Sequence, residues 1–115
     1  MEQLSFRTAE FEGPLDLLLH LIAKHKLDIY DVQISALLEQ YMAYIRAAQD
    51  ADLELASEFL EMASRLVYIK TVSLLPRHEE ESRQLKTELQ GQLLEYQGCK
   101  QMAAELGERG QQFRR

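Results

Sequence analysis

Two side chains stand at a spacing that could move a proton. Asp16 and His20 lie four residues apart, which on a helix places them on one face as neighbours. An acid–base pair of this kind becomes catalytic when it activates a serine or cysteine nucleophile, and the sequence offers none nearby. The pair is therefore expected to stabilise a solvated stripe. Zinc would need about four ligands, yet His20, His25, His78 and Cys99 are dispersed, and His20 and His25 project roughly 140° apart on one helix. The acidic group Asp50, Asp52, Glu54, Glu58 and Glu61 lacks the glycine-containing loop of a calcium site and suits the start of a helix. No glycines are spaced to cradle a phosphate. The expectation is a chain with no catalytic residue, no metal site and no cofactor, and hence not an enzyme.

What remains is shape, and shape follows from the elements. The chain has 115 residues, 46% hydrophobic and 28% charged, enough for one domain with a core. Two prolines and few aromatics among abundant Leu, Ala, Glu and Gln exclude a sandwich or barrel, which needs a turn every 8–12 residues or so. The fold class is all-α. Thirteen basic against nineteen acidic residues, a net charge of -6, oppose direct contact with nucleic acid, whose binding rests on phosphate neutralisation. One cysteine and no signal-like N-terminus point to a reduced, cytoplasmic setting. No apolar run approaches the ~20 residues of a membrane span.

Leu4 to Phe11 alternate loosely and read as a short extended segment. Pro14 then opens a helix, as proline does at a first helical position. Its leucines, isoleucine and alanine cover most of the circumference and leave Asp16, His20 and Lys24 as the polar stripe. Residues 26–33 form a structured connection. A second, ordinary amphipathic helix starts near Ser35. Asp50 and Asp52 are good caps for a third helix running to about Leu75, stopped by Pro76. A core of Leu15, Leu18, Leu19, Ile22, Tyr41, Ile45 and Leu60 is expected.

Helix three carries two adjacent apolar stripes, covering about half its circumference against the ~100° that one core contact requires. Leu55, Phe59, Met62, Leu66 and Ile69 make one; Ala56, Leu60, Ala63, Val67 and Leu74 make the other. The first is expected to face outward, because Phe and Met suit an anchoring surface while Ala56 and Ala63 permit close internal packing. After a polar hinge at 77–81, a last helix from about Ser82 carries a heptad seam of Leu85, Leu89, Gln92, Tyr96, Cys99, Ala103 and Leu106. Gly91 and Gly98 weaken that helix by about 1 kcal/mol each. It is expected to fray alone and to order on a partner, with Leu85, Leu89, Leu93, Tyr96, Ala103 and Leu106 as contacts; the other outcome is that it folds back on residues 1–76 and closes a four-helix bundle without a partner. The domain reading is thus 1–76 as a helical unit, 77–81 as hinge and 82–115 as a docking helix. A small adaptor that homodimerises through the seam is the alternative.

Specific strings sharpen this reading. Phe11 to Ile22, with Gly13, Pro14, Leu15, Asp16 and the leucines after them, resembles the opening of the segregation and condensation protein A family, the bacterial kleisin subunit of the SMC condensin complex. Lys26 to Ile29, then Tyr41, Tyr44 and Ile45, resemble the family's second block. Ala56 to Ala63 with Ile69, Lys70 and Leu74 to Pro76 resemble its third. Leu93 to Tyr96 with Lys100 and Ala103 to Leu106 resemble its central segment. The resemblance, over residues 4 to about 108, implies a non-enzymatic scaffold in chromosome condensation and partition, associated with the nucleoid and touching DNA only through the complex. It assigns the outer stripe of helix three to the coiled-coil neck of an SMC ATPase, and the last helix to a dimer of segregation and condensation protein B. The family's C-terminal winged-helix domain has no counterpart up to Arg115.

Overall fold

The computed structural model describes residues 11–51 and 54–113, with side chains as far as residue 106. The extended segment expected at residues 4–11 lies, apart from Phe11, outside them, as does Asp52. Four helices are present: α1, Pro14–Lys24; α2, Ile34–Asp50; α3, Ser57–Leu74; and α4, Glu79–Phe113. There is no strand among the described residues.

The first helix starts where proline predicts, with Leu17 N–H closing the first turn onto Gly13 O at 3.2 Å. Its far end is capped by a device the sequence conceals. Lys26 has φ 56°, Leu27 N–H donates to Ile22 O at 2.8 Å and Lys26 N–H donates to Ala23 O at 3.3 Å. These are the two bonds of a Schellman cap. A lysine occupies the left-handed position that glycine normally takes, so no glycine marks the stop. Leu27 packs on the core beyond it.

Two boundaries differ from expectation. The second helix runs on through Ala47, Ala48 and Gln49 to Asp50, so Asp50 ends α2 and Ala56 takes the N-cap position of the next helix. Nothing in that stretch breaks a helix, and Ala51 N–H still bonds Ala47 O at 3.0 Å. The third helix therefore begins only at Ser57, behind an extended Ala56. The last helix begins at Glu79, because Glu79, Glu80 and Glu81 suit the positive end of a helix dipole. Most of the supposed hinge is its first turn.

Leu17, Leu18, Leu37, Tyr41, Leu66, Ile69, Leu89 and Leu93 are the largest fully buried side chains, and they come from all four helices. The first helix touches the other three, and α4 packs against both α3 and α1. The expected boundary at 77–81 therefore separates helices but does not separate cores. Leu60 was expected inside and is 44% exposed. Inside, Tyr41 Oη donates to Phe59 O at 2.8 Å, fixing the first turn of α3 against α2. Burial, and then the charge of Glu58, push the Tyr41 phenol far above its ordinary range.

Leu17→Ala or Leu18→Ala should cost about 2–5 kcal/mol through lost transfer energy and a residual cavity, whereas Leu60→Ala should stay within about 0.5 kcal/mol. Urea denaturation of the full chain measures both. Lys26→Gly should stabilise the fold by up to about 1 kcal/mol, the strain of a side chain in the left-handed region outweighing the added chain entropy. A loss of stability there would show that the lysine stem contributes more than its backbone costs.

Candidate functional site

Helix three presents the choice between stripes most plainly. Phe59, Met62, Leu66 and Ile69 are all buried, and Leu55 is partly buried against the same core. The expected outer stripe is therefore the inner one. The reason is area: large side chains gain most from leaving water, and four of them at successive turns fill the space facing α1 and α2 better than alanines can. The other stripe faces outward, with Leu60, Val67 and Leu74 44%, 46% and 72% exposed, beside the half-exposed Tyr68. Of its members, Ala63 alone is buried. A shallow apolar groove of about 480 Å³ runs along this face between Met42 of α2 and Ala63, Ser64, Val67, Tyr68 and Thr71 of α3.

The seam of α4 divides in two. Leu89 and Leu93 are fully buried in the common core, and Leu85 packs partly against it; these are not free anchors. Burying them covers α1, whose apolar circumference α2 and α3 leave partly open. From Gly98 to Leu106 every residue is exposed, including Cys99, Met102, Ala103 and Leu106. Gly91 and Gly98 look onto open space, where an added Cβ would meet nothing within 4 Å.

Between the two halves lies a polar junction that helix-by-helix reading missed. Tyr96 Oη donates to Glu12 Oε1 at 2.6 Å, and Lys100 Nζ donates to Asp16 Oδ1 at 2.5 Å. The Asp16 carboxylate is 8% exposed while the Lys100 side chain is half exposed, and Asp16 Oδ2 also accepts the Glu12 N–H at 3.2 Å. Asp16 is thus the buried partner of a half-exposed ion pair, and the solvated stripe expected of it shrinks to its neighbours. Burial, then the Glu12 hydrogen bond, push the Tyr96 phenol well above its ordinary range. The available signal was the matching spacing: Glu12 and Asp16 are four apart, as are Tyr96 and Lys100.

The His20 ring lies 5.3 Å from that of Phe11, tilted by 55°. Among the described residues no group of three or more His, Cys, Asp or Glu side chains is placed to hold a metal. No helix among them is long and apolar enough to cross a membrane. At the α3–α4 turn, Tyr68 Oη donates to Glu81 Oε2 at 3.1 Å and His78 Nδ1 lies 3.1 Å from Glu81 Oε1. These contacts, His78 first and Tyr68 second, hold the Glu81 carboxyl below its usual range.

The sequence matches the family model described as segregation and condensation protein ScpA over residues 21–115. It is 43% identical to segregation and condensation protein A of Bacillus cytotoxicus over 118 aligned positions, 96% of this chain and 48% of that protein. The Bacillus cereus (strain AH187) protein of the same name is 42% identical with the same coverage, as is that of Bacillus anthracis (strain CDC 684). The chain spans about half the length of the curated relatives it matches.

A depressed carboxyl contributes stability above its unfolded value and loses it as pH falls through the lower folded value. The turn at residues 75–81 should therefore loosen only in acid, below the ordinary carboxylate range. The Glu81 side-chain carbon shift followed by NMR should titrate lower in the parent than in Tyr68→Phe, with His78→Ala raising it further.

Proposed function

The chain belongs to the segregation and condensation protein A family, and from that premise we propose that it is a non-enzymatic scaffold in chromosome segregation and condensation, joining an SMC ATPase neck to a dimer of segregation and condensation protein B. One observation carries the reading: the outward stripe of α3, Leu60, Val67, Leu74 and the adjoining Tyr68, lies open beside an apolar groove on an otherwise polar helix surface. An apolar face with groove-and-ridge relief is what another amphipathic helix packs against. A coiled-coil neck supplies such a helix. The SMC contact thus moves from Leu55, Phe59, Met62, Leu66 and Ile69 to the neighbouring stripe, and the partner stays the same.

The B-subunit contact moves likewise. Leu89 and Leu93 serve the core, so the grip falls on Tyr96, Met102, Ala103 and Leu106 in the distal half of α4. DNA is reached only through the complex, in keeping with the net charge of -6. The cell compartment in this reading is the cytoplasm, at the nucleoid. The homodimer alternative is less favoured, because a dimer through the whole seam would need Leu89 and Leu93, which are already buried.

Leu60→Glu with Val67→Glu should weaken capture of an SMC head-plus-neck fragment by at least about a hundredfold, since a few central apolar residues dominate such interfaces. Circular dichroism should stay unchanged, because both residues are exposed. Phe59→Glu should instead unfold the chain. Undiminished capture by the double variant would reject this face. Ala103→Glu with Leu106→Glu should leave SMC capture intact and abolish binding of the B dimer, and the opposite pattern would exchange the two assignments.

A further inference from the structure

The attachment of α4 to the rest of the molecule changes character along its length. Up to Leu93 it is held by apolar burial, with Leu89 and Leu93 fully buried and Leu85 partly buried against the same core. Beyond Leu93 no side chain as far as Leu106 is fully buried; Leu94, Tyr96 and Gln97 are half-buried and the remainder are exposed. Two polar contacts tie this stretch to the N-terminal end of α1: Lys100 to Asp16 on the helix and Tyr96 to Glu12 just before it. Open grooves flank the tie on both sides. One, of about 450 Å³, lies among Pro14, Leu15, Met62, Arg65 and Tyr96; the other, of about 550 Å³, among Phe11, Leu19, His20, Lys100 and Ala104. The distal half thus rests on α1 without interdigitating with it. Gly98 stands between the two tying residues, Tyr96 and Lys100, lowering the helix's own resistance to fraying.

The tie is also asymmetric. With α4 in place the Asp16 carboxylate is 8% exposed, and its other oxygen accepts the Glu12 N–H. Withdrawing Lys100 leaves that charge without its counter-ion, which favours closure. Lys100 itself is half in water and loses little by leaving.

We propose that Glu12, Asp16, Tyr96 and Lys100 form a clasp that switches residues 94–106 between a closed position on α1 and a released one, and that a partner gripping the distal seam must open it to take Tyr96. On the reading given above, on which this step rests, that partner is the B-subunit dimer, and its apparent affinity is lowered by the closed fraction.

The test uses the full chain and two variants outside the distal seam, Lys100→Met and Glu12→Ala, the second leaving the ion pair in place should the first fail to fold. Amide hydrogen exchange without partner should rise about tenfold over residues 94–106 in Lys100→Met, with α2 and α3 unchanged. Added salt should reproduce the rise in the parent and have little further effect in that variant, because it screens a half-exposed pair. Affinity for the B dimer should rise by about the factor seen in exchange, and capture by the SMC neck should not change. Unaltered exchange in both variants, or an equal rise across all four helices, overturns the clasp. A local rise in exchange with unchanged or weaker dimer binding overturns its role as a gate. If parent and variants alike fail to bind the dimer, the scaffold reading fails, and with it the gate, whatever the exchange shows.

Discussion

An eleven-residue helix too apolar to be left on any surface governs this structure. Five apolar residues of α1, Leu17 to Leu19 with Leu21 and Ile22, cover so much of its circumference that two neighbouring helices cannot shield them all. Three are needed, and α1 touches α2, α3 and α4. The outward polar path is reduced to the line of Asp16, His20 and Lys24, and even Asp16 is drawn inside. Each leucine covered is worth about 1.5–3 kcal/mol, which outweighs the weak helix propensity of the element that must cover it.

This demand explains both corrections to the proposed contacts. Helix four is recruited through Leu89 and Leu93, so a seam that looks continuous in sequence is divided into a core half and a free half. The third helix must fill the remaining side of α1, and it does so with its bulkier stripe. Its lesser stripe is then left in water, where Leu60, Val67 and Leu74 have no internal use. An exposed apolar row on a small chain marks an interaction surface better than a single exposed leucine does.

Much of this was legible in the residues. Helix order, the start at Pro14, the all-α class and the unusual width of the α3 apolar arc follow from periodicity and from proline. The C-terminus of α1 was not, because a lysine sits where a cap normally shows a glycine. The start of α3 was not, because aspartate caps and aspartate helix ends look alike when an alanine-rich helix runs into them. Periodicity identifies two stripes on one helix but cannot rank them: the ranking depends on the volume left by α1 and α2, which is a property of the assembled core. The junction of Glu12 and Asp16 with Tyr96 and Lys100 joins residues 84 apart; the matching spacing of four within each pair hints at it, but pairing them requires knowing that α4 lies along α1.

A polar junction at that place differs in kind from an apolar one. Two more buried leucines at positions 96 and 100 would bind the distal half as firmly as Leu89 and Leu93 bind the proximal half, and a partner would then have to replace several kcal/mol of burial before gaining anything. A hydrogen bond and a half-exposed ion pair contribute about 1 kcal/mol each in net terms, since water serves the released groups nearly as well. They nevertheless define one closed geometry, because the buried Asp16 carboxylate accepts its partner from a fixed direction. Position is specified strongly while occupancy is held weakly. That combination lets one continuous 35-residue helix complete a core at one end and keep residues 98–106 exposed towards the other, as the proposed partner contact requires.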